Sequence, residues 1–302
     1  MDKLNLNEIQ KLFAKNNVNW FINIFTSTKK VLEYSPLYKE ISVDSSNWFS
    51  TNINIIKNNK KWVYNIDWCE ITDIQNWINE ILKVIDLAEF DKNIIVPQIT
   101  DSIEKDFSVP EIETIDFKML ENEFNKVKNY KFNDFINIES FSIWIVSYSK
   151  IFINSLWSIK TQIDNSSFYS LELVWENDLG KDSDYIYKDI KWIPEINLDE
   201  IKELEELILN KISGNSQNFT SWNYDIVLDK DVVIDFIDII IENIWAEDIR
   251  EWVSKKKKNK IWDKIFGDDF TLINNPDLPW YTGNSVFDWE WVTTKRTVIF
   301  DK

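Results

Sequence analysis

Apolar residues recur every three or four positions in four segments of the chain, a spacing that places them on one side of a helix. The segment that starts at Asn197 opens on Asn-Leu-Asp-Glu, which resembles a capping box, and Gly214 follows as a stop signal. The predicted helices are Asp73 to about Leu87, about 112–128, Asn197 to Lys211, and Asp231–Ile244. The apolar residues of the first and third are Ile74, Ile78, Ile81, Leu82 and Ile85, and Leu198, Ile201, Leu204 and Ile208.

Alternating apolar and polar residues predict strands elsewhere. Asn52–Lys57 and Trp62–Ile66 flank an Asn-Asn-Lys turn, which is typical of a β-hairpin. The predicted strands are 18–27, 39–67 with this hairpin, Phe141–Val146, Ile151–Leu156, Ser167–Val174, Tyr224–Leu228, Phe270–Ile273 and Thr297–Phe300. This order of elements predicts an α+β fold, with antiparallel sheets and packed helices.

The length of 302 residues allows one large domain or two to three small ones. Two prolines, Pro97 and Pro110, and mixed polar residues make 91–111 the best candidate for a linker. The expected organisation is an N-terminal αβ unit over 1–90, this linker, a middle sheet-and-helix unit over 112–220, and the start of a truncated C-terminal domain over 221–302.

Charge and missing residue types exclude several classes of function. The chain has 34 Lys+Arg against 51 Asp+Glu, a net charge of −17, which disfavours nucleic acid because phosphate binding depends on clustered cations. It has no His, so Ser-His and Cys-His nucleophile pairs and the usual zinc ligands are absent. The single Cys69 excludes an internal disulfide and fits a reducing compartment.

No segment is predicted to span a membrane or to act as a secretion signal. The most apolar stretch, Val232 to Trp245, is interrupted by Asp235, Asp238 and Glu242. The N-terminus lacks an apolar signal core. We therefore expect a soluble cytoplasmic protein without a membrane or nucleic-acid partner.

Side-chain patterns alone predict no catalytic residue, no cofactor-binding residue, no cofactor and no metal ligand. With 51 acidic residues, carboxylate pairs of the glycosidase kind are expected by chance. The basic run Lys255–Lys258 is interpreted as an exposed loop. No His can activate Cys69, and Gly180 lacks the neighbours of a phosphate loop.

Glycine and tryptophan occur in abnormal proportions. Average proteins carry about 7% Gly, or roughly 21 residues in a chain of this length. This chain has 4 Gly and 16 Trp, and the two counts together come to 20. One interpretation is a tryptophan-rich binder of sugars. The other is a gene that uses UGA for glycine and is translated here with UGA as tryptophan.

Several Trp positions favour glycine. Trp280 follows a proline in a stretch rich in turn residues, where a type II turn needs a positive φ. Trp291 lies in the polar run Asp-Trp-Glu-Trp-Val, and Trp62 and Trp68 flank a short strand at turn-like places. Most of the 16 Trp are hypothesised to be glycine, with Trp280 and Trp291 first and Trp252 and Trp262 next.

Read with glycine at Trp291, residues 290–297 become E-G-V-T-T-K-R-T, preceded by an N-P-D turn and a Gly-containing loop. This stretch resembles a hallmark segment of the TldD/PmbA family, also called modulator of DNA gyrase, which includes the TldD–TldE metallopeptidase. Two upstream segments, 249–254 and 259–266, resemble the family with glycine at Trp252 and Trp262. The N-terminal hairpin resembles it more loosely, with glycine at Trp48, Trp62 and Trp68.

The resemblance implies a TldD/PmbA-like fold, and some members of that family bind zinc through a sequence motif. Zinc-binding members carry H-E-x-x-x-H on the helix after the strand that corresponds to Tyr224–Leu228. Alignment from that strand places Asp238, Ile239 and Asn243 at these positions, so both imidazoles and the general-base Glu are missing. The chain therefore resembles the TldE/PmbA-like branch without the motif. The family continues beyond Lys302, so an incomplete C-terminal domain is expected.

The resemblance implies a metal-free subunit that aids proteolysis by a TldD-like zinc partner in a hetero-oligomer. Peptide or unfolded protein would be its substrate, held by main-chain pairing with a sheet edge. The alternative is a Trp-rich carbohydrate-binding module, which requires that the Trp residues are real.

Overall fold

The structure is a computed structural model that describes residues 11, 14, 18–35, 40–67, 71–92, 94, 98–177, 180–192, 194–213, 223–242, 270–278, 281–288 and 291–301. Its internal contacts divide the chain into two compact units. The first comprises Met1–Ser213 and Asn274–Thr297, and the second comprises Gly214–Ile273 and Val298–Lys302. The division into 1–90, 91–111, 112–220 and 221–302 stays a prediction.

A seven-stranded sheet dominates the first unit. Its strands run in the order β3-β2-β1-β5-β6-β4, and β7 pairs with another part of β6. All neighbours are antiparallel except β4, which is parallel to β6. The strands are β1 (Asn19–Ser35), β2 (Glu40–Lys57), β3 (Lys60–Ile66), β4 (Ile103–Asp106), β5 (Ile136–Asn154), β6 (Ile159–Asn177) and β7 (Gly180–Ile190).

The helices of the first unit lie near the predicted segments, but the single helix predicted at about 112–128 is two helices, because residues 114–116 are not helical. Their bounds are α1 (Ile71–Val84), continued by a 3-10 turn at Ile85–Leu87, α2 (Pro110–Glu113), α3 (Phe117–Lys128) and α4 (Leu198–Ser213). Asp116 caps α3, because its carboxylate accepts a hydrogen bond from Met119 N at 2.9 Å. Asn197 caps α4 in the same way as predicted, accepting from Asp199 N at 2.9 Å.

One face of the sheet, the core face, carries two hydrophobic clusters. Near one end, α1 covers Ile22 and Ile53, which are fully buried. Near the other end, α2, α3 and α4 cover Phe141 and Leu171. Polar side chains separate the two clusters. Among them are Thr26 and Ser149, whose hydroxyl oxygens are 2.8 Å apart.

The predicted α+β fold with antiparallel sheets and packed helices is confirmed, but several elements differ. The segments Phe141–Val146 and Ile151–Leu156 belong to one strand, β5, up to Asn154. Ser147 and Ser149 interrupt its apolar alternation between the two clusters, so the pattern suggested two strands. The predicted linker contains β4 and the start of α2, which are too short to give a periodic signal.

Two further predictions are wrong in detail. Tyr224–Leu228 is not a strand, since 223–229 form no ladder with any strand of the described residues. Strand β7 was missed because its exposed side carries a run of charged residues. The predicted hairpin is confirmed: β2 and β3 join through Asn58 and Asn59, whose positive φ values of 53° and 59° fit a two-residue turn.

The second unit contains α5 (Lys230–Glu242), which matches the predicted helix. Strands β8 (Leu272–Asn274) and β9 (Thr297–Phe300) pair as a two-stranded sheet, close to the predicted positions. No helix in the described part of the chain is long and apolar enough to cross a membrane.

Candidate functional site

The face opposite the core face, which we call the polar face, carries an open cleft of about 920 Å³. Side chains alternate along a strand, so the neighbours of buried Ile22 and Ile53 point to this face. They include Asn23 and, across the register, Asn52 and Asn54. The lining of the cleft includes Phe21, Asn23, Asn52, Asn54, Lys61 and Trp291.

The asparagine side chains form a row across three adjacent strands. Asn23 Nδ2 donates to Asn52 Oδ1 at 3.4 Å, and Asn52 Nδ2 donates to Asn65 Oδ1 at 2.5 Å. Asn54 Nδ2 also donates to Asn52 Oδ1. Within the described residues, Asn23 Oδ1 is buried and has no hydrogen-bond partner. The row therefore keeps one acceptor unsatisfied at the floor of the cleft.

A C-terminal segment, residues 284–288 and 291–293, is held on the polar face by two buried side chains of β6. Lys160, fully buried, donates to Asp101 Oδ2 at 3.0 Å and to Thr293 Oγ1 at 2.6 Å. Gln162 donates to Asn284 O at 3.0 Å and accepts from Val286 N at 3.2 Å. Of these residues, Asp101 and Thr293 line the cleft and form part of one wall.

The Thr293 hydroxyl and the Lys160 ammonium favour the ionised form of the Asp101 side chain at this wall. The hydrogen bond from Thr293 is the largest cause that lowers the pKa of Asp101 below its ordinary value, and Lys160 adds to it. Asp101 is therefore a carboxylate at neutral pH.

A buried ion pair lies further along the polar face. Lys191 and Asp164 are 2% and 1% exposed, and the ammonium of Lys191 contacts the Asp164 carboxylate. Lys191 also donates to Asn165 O at 2.8 Å, and Tyr148 donates to Asp164 at 3.1 Å. Because each charge has further hydrogen-bond partners, the pair is compatible with burial.

The loop between β5 and β6 places Trp157 in the left-handed region, with φ of 67°. Asn154 O accepts from Trp157 N at 3.1 Å, and Asn154 N donates to Ser158 O at 3.3 Å. The side-chain oxygen of Asn154 accepts from Ser158 N at 3.0 Å. This is the bonding of a hairpin in which a turn precedes a left-handed residue, a position that glycine usually fills.

The same turn recurs at Trp291, where φ is 65°. Asp288 O accepts from Trp291 N at 3.0 Å, and Asp288 N donates to Val292 O at 3.0 Å. Its side-chain oxygen accepts from Val292 N at 2.9 Å. Apart from Asn58 and Asn59, these two Trp are the non-Gly residues with positive φ in the described part of the chain.

Several other Trp residues of the described part of the chain lie inside strands or helices. Trp62 lies inside β3, paired with Ile55, rather than at a turn-like place as predicted. Trp48 lies inside β2 and Trp77 inside α1. The remaining predicted glycine positions, Trp68, Trp252, Trp262 and Trp280, lie outside the described residues, as do Cys69, Asn243 and Lys255–Lys258.

The donor set does not fit the zinc site of a metallopeptidase. The chain has no His, and Asp238 and Ile239 occupy the aligned positions on α5. In the described part of the chain, no group of three or more His, Cys, Asp or Glu side chains could hold a metal. Water activation by a bound zinc therefore has no support from these residues.

Sequence reasoning named no site residue and missed the asparagine row. The signal was present, because Asn23, Asn52 and Asn54 alternate with the apolar residues of β1 and β2. Polar residues at this spacing are ordinary on an exposed sheet face, so the sequence did not distinguish a cleft from solvent.

Comparisons with known proteins agree with this architecture. Residues 221–302 match the family model of the PmbA/TldA metallopeptidase C-terminal domain. No curated protein matches the chain. Among solved structures, the fold is similar to a putative modulator of a DNA gyrase from Thermotoga maritima, with a TM-score of 0.79 and 17% identity, over 98% of this chain and 68% of that one.

Two further structures share the fold. TldE from Thermococcus kodakarensis gives a TM-score of 0.73 and 16% identity, over 98% of this chain and 67% of that one. A putative modulator of DNA gyrase from Bacteroides thetaiotaomicron gives 0.83 and 16% identity, over 100% and 70%. The match over residues 221–302 and the shared fold support a metallopeptidase-related protein that is similar to the TldD/PmbA family.

Proposed function

We propose that the chain is the metal-free, TldE/PmbA-like subunit that assists a TldD-like zinc peptidase in the cytoplasm. The absence of His from the sequence carries this proposal. A family member without imidazole ligands at the aligned positions cannot build the His-Glu-His zinc site, so it contributes no metal-binding or catalytic residue. Its contribution is to hold the polypeptide.

The sheet provides a route for holding an extended polypeptide. Strand β3 ends the strand order, and within the described residues its outer side meets an isolated bridge between Lys60 and Phe90. An added strand could pair with the main-chain groups of such an edge, which gives affinity without requiring a particular sequence.

Purification of the tagged chain from its source tests the role. We expect a zinc-bearing TldD-like protein to co-purify, and we expect elemental analysis of the separated chain to find less than stoichiometric zinc. Tightly bound zinc in the separated chain, together with chelator-sensitive proteolysis, would overturn the proposal.

We also propose that residues 157 and 291 are glycine in the natural protein, through UGA recoding. Two matched turns support this, each opened by an Asn or Asp whose side chain bonds the turn. A left-handed conformation costs an L-residue about 1–2 kcal/mol and costs glycine little. Trp157 is also 58% exposed, which is unusual for so large an apolar residue.

The codons and the natural peptides test the recoding. We expect UGA at positions 157 and 291, and mass spectrometry of the natural protein to find glycine in both turns. UGG codons, or tryptophan in the natural peptides, would contradict it. The other Trp positions of the 16 can be read in the same experiment. Trp62, which lies inside a strand, shows whether glycine is confined to the turns.

A further inference from the structure

The cleft on the polar face has the shape of a ligand site. Its volume of about 920 Å³ is open to solvent along one side and falls within the range of about 300–1,000 Å³ that is usual for ligand pockets. It lies between strands β1, β2 and β3 and the C-terminal segment held by Lys160 and Gln162. All these residues belong to the first unit.

The floor of the cleft is built from neutral amides. Asn54 is 3% exposed, and the buried Asn23 Oδ1 has no partner among the described residues. A buried polar atom without a hydrogen bond carries a free-energy cost, which a ligand N–H would remove. An Asn side chain offers both donors and an acceptor, as a peptide bond does.

The spacing of the amides matches an extended chain. Asn52 and Asn54 are two residues apart on β2, and so about 6.7 Å apart along it. An extended peptide that lies along β2 repeats its outward main-chain groups at this same interval. The asparagines can therefore meet the main chain of such a peptide at every second residue.

Phe21 and Trp291 form an aromatic wall beside the row, and the fully buried Phe152 packs behind them. Phe21 and Phe152 lie 6.1 Å apart between ring centroids, and the indole of Trp291 stacks on Phe152 at 5.0 Å. Glycine at 291 would remove the indole and leave Phe152 and Phe287 facing the vacated space. A flat indole platform of the kind that binds sugars would then be missing.

We propose that this cleft binds polypeptide in the extended conformation, with the amides of Asn23, Asn52 and Asn54 contacting its main chain and the aromatic wall accepting apolar side chains. The inference rests on the proposed function in one respect, that the ligand is a polypeptide. The inference adds a binding face and the side chains that contact the polypeptide, whereas pairing with the edge of β3 involves main-chain groups only.

Fluorescence anisotropy of the complete chain tests the site without a zinc partner. The probe is a blocked, fluorescein-labelled octapeptide of alternating Thr and Val, compared with the same peptide N-methylated at alternate residues. The variants are Asn54→Leu and Asn23→Leu, each of which removes the side-chain amide. Asn137→Leu, an exposed strand asparagine outside the cleft, is the matched control, and thermal unfolding checks that each variant folds.

We expect the unmodified peptide to bind, and N-methylation, Asn54→Leu and Asn23→Leu each to weaken binding by about tenfold, as the loss of a buried hydrogen bond would. Asn137→Leu should not change it. Absence of binding, equal binding by all variants, or displacement of the peptide by maltoheptaose would overturn the inference. A chain that binds peptide but leaves a zinc partner's activity unchanged would contradict the proposed function alone.

Discussion

The two faces of the central sheet use alternate residues of the same strands and are closed in different ways. On the core face, Ile22 and Ile53 pack beneath α1 and are fully buried. On the polar face, Asn23 and Asn52 lie in an open cleft whose wall is held by hydrogen bonds from Lys160. Burial without directional contacts stabilises the first face, whereas the second depends on paired polar groups.

This difference separates stability from recognition. Apolar packing fixes the sheet against its helices and needs only complementary volume. The polar face loses stability whenever one member of a buried pair is removed, because the remaining group stays desolvated. Asn23 Oδ1, which has no hydrogen-bond partner among the described residues, is the atom at which the proposed ligand would gain free energy.

The largest effect is expected from breaking the buried ion pair of the polar face. Asp164→Leu leaves the Lys191 ammonium buried without its carboxylate, so we expect the free energy of unfolding to fall by about 3–5 kcal/mol in urea titrations. The double variant Asp164→Leu/Lys191→Met should recover most of this loss. A single variant as stable as the wild type would show that the polar face tolerates unpaired charge.

Truncation on the core face should cost slightly less. Ile22→Ala removes buried methyl groups and leaves a cavity, so we expect a loss of about 2–5 kcal/mol by urea unfolding. The matched control is Ile163→Ala, because Ile163 is 37% exposed. Equal losses in the two variants would contradict the assignment of Ile22 to a packed core.

Trp157→Gly should stabilise the chain by about 1–2 kcal/mol, because the left-handed turn suits glycine. The control is Trp48→Gly, a similarly exposed Trp inside β2, where glycine should destabilise by about 0.5–1 kcal/mol. Thermal unfolding measures both. The same sign of change at the two positions would remove the conformational argument for glycine at 157.

The smallest effect concerns pH. The Thr293 hydroxyl, and then Lys160, lower the folded-state pKa of Asp101. Its contribution to stability is therefore present above the unfolded-state pKa of about 3.9 and is lost as the pH falls through the lower folded-state pKa. We expect Asp101→Asn to flatten the acid limb of the stability curve below about pH 4, relative to wild type and to Asp44→Asn. An unchanged limb would contradict the contact.

The sequence predicted the α+β fold and most helices, since spacing and caps such as Asn197 are local signals. It divided β5 in two, because Ser147 and Ser149 lie where the core face is polar, and it missed β7 and the short β4. The site was missed for a different reason. Asn23, Asn52 and Asn65 meet only through strand register, which depends on contacts between residues distant in the chain.

The glycine hypothesis illustrates the same limit. Composition suggested it for the chain as a whole, and turn-like sequence suggested Trp291. Trp157 was not singled out, because Ser-Leu-Trp-Ser carries no turn residue other than serine. Only the structure shows that the turn at Trp157 has the same backbone hydrogen bonds as the turn at Asp288.

The central proposal is that this chain holds the peptide while a zinc-bearing partner hydrolyses it. Titrating a TldD-like zinc peptidase with this chain tests that proposal most directly. Hydrolysis of an extended peptide should rise and saturate as wild-type chain is added, and it should rise less with folded Asn54→Leu than with Asn137→Leu. A rate that is indifferent to the chain, or chelator-sensitive hydrolysis by the chain alone, would contradict its role as a metal-free subunit.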